Sequence, residues 1–167
     1  MSARDLILDT ARSFISTHGR LPSLDALAGD AGVSKGGLMH HFASRSALVS
    51  ALITAAVDAT DRELRDAATR GEVVDTWLRL SAQPEVDGTP LSTLAIIALG
   101  AHDDLGDAVQ QILDATRQWE ALIADEVGDP TRARIIRMVG DGMLLQSLLS
   151  PTPLSALSTR ELLAALK

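Results

Sequence analysis

The chain has 167 residues, enough for one soluble domain or two small ones, and long enough to bury a core without staples. It has no cysteine, which excludes a disulfide framework, a thiolate metal site and a cysteine nucleophile. Net charge is −7, which taken whole argues against a nucleic-acid partner, but residues 1–50 hold five basic residues against four acidic ones while the remainder carries 10 and 18. Such asymmetry hints that only the first part faces a polyanion; a merely near-neutral segment is the plain alternative. The 46% apolar fraction is mostly Ala, Leu, Ile and Val, with Phe14, Phe42, Trp77 and Trp119 the sole aromatics, a mixture that favours helix over sheet. No stretch reaches the ~20 apolar residues of a membrane span, and the opening MSARDLILD has acids where a secretory signal has its apolar stretch. An all-α cytoplasmic protein is expected.

In chain order, Leu6, Ile7, Ala11, Phe14 and Ile15 recur at helical spacing over Ala3 to His18, with Gly19 as the stop. Ser23 is placed to cap a short helix whose Leu24, Leu27, Ala28 and Ala31 follow the one-faced i, i+3, i+4, i+7 pattern, ended by Gly32. Val33 plugs the turn and Ser34 caps a second short helix, Lys35 to Phe42. Ser44 opens a long helix to about Arg70. In the second half, helices are expected over Glu72–Ala82, from Pro90 to Gly100 after a QPEVDG loop, over about 104–127, and over 130–149. Ser158 with Glu161 forms a capping-box pattern for a short terminal helix, about nine in all.

Two short helices around a glycine turn, LDALAGDAGVSKGGLMHHF, have the form of a helix-turn-helix, which lays its second helix in the DNA major groove. Lys35 stands at that helix's start, where the N-terminus itself favours anions. Gly36 and Gly37 inside a helix each cost about 1 kcal/mol relative to Ala. Close approach to DNA is one reason for them; a helix held by its neighbours is the other. Leu38 and Phe42 are expected to face the core, leaving Met39 and His40 for the groove.

The stretch from Ala3 to Leu52 resembles the DNA-binding domain of the tetracycline-repressor (TetR) family of transcriptional regulators. The resemblance runs through Ser23-Leu24, Leu27-Ala28, Ala31-Gly32-Val33-Ser34, Lys35-Gly36-Gly37-Leu38, His41-Phe42 and Ser44-Arg45. It implies a helix-turn-helix over 23–42 within a DNA-binding domain 1–60, and an effector-binding and dimerisation domain over 61–167. The DNA-contacting residues it implies are Ser23, Ser34, Lys35, Gly36, Gly37, Met39, His40 and Arg45, the last as a phosphate contact. Met39 stands where the family usually has a phosphate-binding Tyr, and a thioether cannot donate that hydrogen bond.

The helices over about 104–127 and 130–149 have more apolar surface than one small domain can hide, so the second is expected to be buried all round and the antiparallel pair to meet its two-fold mate in the four-helix interface of a homodimer. Candidates for an effector cavity are Trp77, Leu78, Leu94, Ile97, His102, Trp119, Asp141 and Met143. Asp141, between Gly140 and Gly142 in an apolar helix, needs a partner: Arg137 one turn earlier, or a ligand hydroxyl or amine. The aliphatic lining points to an apolar or amphipathic effector. GDAGVSKGG lacks the glycine and the Ser/Thr that flank the lysine of a P-loop, adjacent His40–His41 diverge by ~100° on a helix, and no nucleophile elbow occurs. No enzyme, cofactor or metal is therefore expected. The expected function is sequence-specific regulation of transcription, a repressor released from a palindromic operator by its effector; the alternative is a helical dimerisation or adaptor protein with weak or lost DNA binding.

Overall fold

A computed structural model describes residues 2–82, 90–100, 105–106, 108–149, 161, 164 and 165. Eight helices and no strand occur among them: α1 (Ala3–His18), α2 (Leu24–Asp30), α3 (Lys35–His41), α4 (Arg45–Ala68), α5 (Val73–Ala82), α6 (Pro90–Gly100), α7 (Ala108–Val127) and α8 (Pro130–Leu149). The QPEVDG segment, His102 and Ser158 of the expected terminal cap lie outside the described residues.

The first four helices start alike. The hydroxyls of Ser2, Ser23, Ser34 and Ser44 accept the backbone N–H three residues on, at Asp5, Ala26, Gly37 and Ala47, so each satisfies one of the N-terminal donors a helix cannot pair itself. At Ser2 the Asp5 carboxylate accepts in return from the cap's own N–H, and hydrogen bonding from the Ser2 hydroxyl and then from its N–H holds that carboxyl below its ordinary range. Gly19 and Gly32 turn the chain with φ of 63° and 65°, a region closed to most side chains.

Seven-residue α2 and α3 are too short to persist alone. Tertiary burial holds them: Leu27, Ala28, Leu38 and Phe42 sit in one core with Ile7, Leu8, Ala11 and Ile15 of α1 and Leu48, Val49 and Leu52 of α4. Each Leu or Phe hidden there contributes about 1.5–3 kcal/mol. α4 then runs on through the expected 60/61 boundary without a break, and its Ala56, Thr60, Leu64 and Ala67 are buried on the way. It packs against α5, α6 and α7, while α8 lies on α5 and α7. α6 also touches α1.

Three features of the second half refine the sequence reading. α5 has no cap of its own; the Glu126 carboxylate of α7 accepts from Val73 N–H at 2.5 Å and Val74 N–H at 3.4 Å, a long-range substitute. α7 begins at Ala108 rather than near 104, after a turn in which Gly106 takes a φ of 46°. And α8 is not buried all round in the single chain. Ala133, Ile136, Gly140, Met143 and Ser147 face inward, while Ile135, Met138, Leu145 and Leu149 are exposed.

Gly140 is where α8 meets α5. A Cβ there would lie 2.1 Å from Trp77 Nε1 and 2.8 Å from Ser81 Oγ, both on buried residues, whereas a Cβ on Gly142 would meet nothing within 4 Å. Gly140→Ala is therefore expected to destabilise the protein by about 1–3 kcal/mol through overpacking. Gly142→Ala should leave the single chain unchanged or up to about 1 kcal/mol more stable. Urea denaturation of the two variants compares them; equal midpoints would refute this account of the α5–α8 contact.

Candidate nucleic-acid interface and effector cavity

Leu38 and Phe42 set the orientation of α3. At about 100° per residue, their inward direction leaves Gly36, Gly37 and His40 on the opposite side, flanked by Met39 and His41. Gly36, Met39, His40 and His41 are exposed. The protein interior does not require Gly36: a Cβ there would meet only the Ser34 hydroxyl at 4.0 Å, an ordinary contact. At Gly37 the same hydroxyl would lie at 3.2 Å, a tight fit against the cap. Helix-weakening glycine at position 36 thus has no internal packing explanation.

The cations of this face already have partners. The Lys35 ammonium lies 2.8 Å from Asp25 of α2, with both side chains largely in solvent. Arg45 donates from Nη1 to the carbonyl of Pro22 at 2.7 Å, tying the start of α4 to the chain just before the Ser23 cap. Arg4 stands over the Phe42 ring, 5.4 Å from its centroid, and the His40 and His41 rings meet edge-on at 5.3 Å. Ser23 and Ser34 serve as caps through their oxygens, which leaves each hydroxyl proton available for donation. The bonds of Lys35 and Arg45 were not visible to sequence reasoning, because they join residues 10 and 23 positions apart.

In the second half a cavity of about 130 Å³ opens between four helices. Its wall is Trp77 from α5, Leu91, Leu94, Ala95 and Ala98 from α6, Ile112, Thr116 and Trp119 from α7, and Asp141 and Leu144 from α8. Four of the sequence candidates, Trp77, Leu94, Trp119 and Asp141, meet there. Leu78, Ile97 and Met143 do not line it; they are buried in the surrounding core. His102 falls outside the described residues. Apart from Thr116, whose hydroxyl donates to the Ile112 carbonyl of its own helix, the wall residues that sequence reasoning missed are alanine or aliphatic and carry no chemical signal.

The indoles are 6.0 Å apart and tilted by 43°. Trp77 Nε1, Ser81 Oγ and Trp119 Nε1 are buried without a hydrogen-bond partner. Asp141 accepts from Arg137, as the pairing reading holds, and Arg137 also donates to Glu120 at 2.8 Å, which Arg134 reaches at 3.3 Å. Half of the Asp141 side chain is open to solvent and the rest lies against the wall. That burial pushes its carboxyl above the ordinary range, and Arg137 opposes the shift. Glu120 moves the other way, lowered chiefly by its bond from Arg137.

On the outer side of α8, Ile135, Met138, Gly142, Leu145 and Leu149 alternate at intervals of three and four, a heptad-like stripe; Val109 and Leu113 of α7, the helix packed against α8, are exposed as well. No single helix among the described residues is long and apolar enough to cross a membrane.

Two family models match the chain. One, described as bacterial regulatory proteins of the tetR family, covers residues 7–52, from α1 into α4; the other, a tetracyclin repressor-like C-terminal domain, covers residues 71–167, more than half of the chain. The protein belongs to the tetracycline-repressor (TetR) family and is a DNA-binding transcriptional regulator. No curated protein and no solved structure matches it significantly.

Because Arg45 braces a backbone carbonyl, Arg45→Ala is expected to lower stability by about 1–2 kcal/mol, in the range for a charged donor's bond. Lys35→Ala, which removes only an exposed ion pair, should change it by less than about 0.5 kcal/mol. Thermal denaturation separates them, and an Arg45→Ala variant as stable as wild type would contradict the bracing role.

Proposed function

We propose that the protein is a homodimeric repressor whose first sixty residues bind a palindromic operator through residues 23–42, and whose residues 61–167 dimerise and take up a small apolar or amphipathic effector. The observation that carries the reading is the outer face of α3. It is held rigidly by Leu38 and Phe42 and presents bare backbone at Gly36 beside His40, so that helix can sit close against a groove. Lys35, Met39, His40 and the caps Ser23 and Ser34 supply the contacts around it, and Arg45 reaches phosphate while bonded to Pro22. The exposed stripe of α8, with Val109 and Leu113 of α7, forms the two-fold interface, and Gly142 lets the paired helices approach. The symmetry then sets the recognition helices about 34 Å apart, one DNA turn.

Effector release runs through α6. One side of that helix lines the cavity with Leu91, Leu94, Ala95 and Ala98. Pro90 and Thr93 face Asp9, Arg12 and Ser13 of α1 and Ala55, Ala56 and Ala59 of α4 across a small cleft. A ligand that displaces α6 shifts α4 and changes the separation of the two α3 helices. The coupling is allosteric to the extent that ligand and operator each prefer a different state. The adaptor alternative keeps one supporting observation, the engagement of Lys35 by Asp25, which offsets a charge that DNA would otherwise meet.

Selection of binding fragments from a random DNA pool, repeated at two salt concentrations, tests the reading. Wild type is expected to enrich a palindrome. Lys35→Ala with His40→Ala should lose it, and each phosphate contact removed flattens the log–log salt dependence by about 0.9. Gly36→Ala, which the interior tolerates, should fold at least as stably as wild type yet bind the operator at least tenfold more weakly. No enriched sequence, with variants indistinguishable from wild type, would leave the adaptor reading. In sedimentation, Met138→Glu on the α8 stripe should convert a dimer into a folded monomer; a persistent dimer would place the interface elsewhere.

A further inference from the structure

We propose that the cavity between α5, α6, α7 and α8 selects a compact, uncharged molecule with an acceptor oxygen, such as a cyclic ketone, lactone or ether. Its hydrocarbon part lies against the aliphatic wall and its oxygen accepts from the indole N–H groups of Trp77 and Trp119. This names the ligand class of the effector cavity and so rests on the reading of that cavity as the effector site.

Size and charge narrow the class first. An apolar cavity of about 150 Å³ stays dry and accepts benzene, so a space of about 130 Å³ takes a single small ring. Leu91, Leu94, Ala95, Ala98, Ile112 and Leu144 provide the apolar surface. Charge on this wall is already balanced. Arg137 bonds both Asp141 and Glu120, and Arg134 reaches Glu120 as well, so two guanidiniums face two carboxylates. A ligand ammonium would find no uncompensated carboxylate there, and a ligand carboxylate would meet Asp141. The wall therefore favours a neutral molecule.

The indoles select its polar group. Trp77 and Trp119 are 1% and 2% exposed, both line the cavity, and neither Nε1 has a hydrogen-bond partner. An indole nitrogen only donates, so what this wall calls for is an acceptor. The other polar side chains of the wall are engaged: the Thr116 hydroxyl donates to the Ile112 carbonyl, and Asp141 accepts from Arg137. Buried polar groups are nearly always paired, and an unpaired donor forfeits the hydration it gave up on folding. A ligand oxygen restores that loss, whereas a hydrocarbon of the same shape leaves both donors as they are. The nitrogens belong to different helices: Trp77 Nε1 of α5 lies against Gly140, next to the wall residue Asp141, and Trp119 is on α7. A carbonyl oxygen, with two lone pairs, can accept from either or from both.

The two tryptophans give the full-length protein two indole N–H signals in a proton–nitrogen correlation spectrum, which Trp77→Phe and Trp119→Phe assign. The probe is cyclohexanone. Methylenecyclohexane, with a methylene group in place of the oxygen, is its isostere, and cyclohexylammonium and cyclohexanecarboxylate are the charged counterparts. Saturation with the ketone is expected to move at least one indole proton downfield, the mark of a new hydrogen bond, while the alkene binds without that shift. Replacing the shifted tryptophan by Phe, in a variant shown to be folded by its thermal transition, should weaken the ketone at least about fivefold and the alkene by about twofold or less. Four results on wild type alone overturn the proposal: no binding of millimolar ketone, bound ketone with neither indole proton moved, the same shift from the alkene, or a charged probe that binds more tightly than the ketone. Indole protons already at a hydrogen-bonded position without ligand, and unmoved by the ketone, assign the acceptor role to trapped water and overturn it as well. Operator binding in the presence of each probe separates the two layers. A ketone that binds with these marks without weakening operator binding upholds the ligand class and removes the effector reading. Operator release by the alkene or a charged probe, with no indole shift from the ketone, overturns the ligand class and keeps the effector reading.

Discussion

Everything in this protein hangs on α4. A helix of 24 residues, about 36 Å long, it buries Leu48, Val49, Leu52 and Ile53 near its start and Ala56, Thr60, Leu64 and Ala67 farther along. The first set fixes the short helices α2 and α3, which have no stability of their own; the later set meets α5, α6 and α7. Backbone hydrogen bonds run unbroken between the two, so a tilt imposed at one end is transmitted to the other. A flexible linker at that point would have separated the DNA-facing helices from the cavity mechanically.

The charged side chains are arranged for geometry more than for attraction. Arg45 holds a carbonyl, Lys35 leans on Asp25, and Glu126 caps α5 from another helix. On the outer face of α3 this leaves a surface of low net charge, with exposed backbone and imidazoles. On the proposed reading, such a surface would discriminate by fit more than by the counterion release that dominates strongly basic DNA-binding faces. The chain's overall acidity is consistent with that division, because its excess of carboxylates lies after residue 50.

The second half combines a small interior space with an open exterior stripe on the same helix. α8 turns Ile136, Gly140 and Met143 toward the core and Ile135, Met138 and Leu145 outward, with Asp141 between the two faces. On the proposed reading, occupation of the cavity and contact with a second copy would act on one element, which would link ligand and dimer geometry through α8 as well as through α6.

What the sequence by itself determined is everything that depends on residues within about four positions of one another. Serine caps at 23, 34 and 44, left-handed turns at Gly19 and Gly32, the inward pair Leu38 and Phe42, and the Arg137–Asp141 bridge are all of this kind, since helix geometry fixes which neighbours meet. Tertiary structure alone decided the rest: Pro22 as the partner of Arg45, Glu126 as the cap of α5, the closure of small aliphatic side chains into a cavity, and the side of α8 left bare. Gly140 and Gly142 make the difference plain. They flank the same aspartate in the same helix, two residues apart, and nothing local distinguishes them. Only the approach of Trp77 and Ser81 makes the first indispensable, because the direction in which a helix faces its neighbours is settled by the packing of the whole chain.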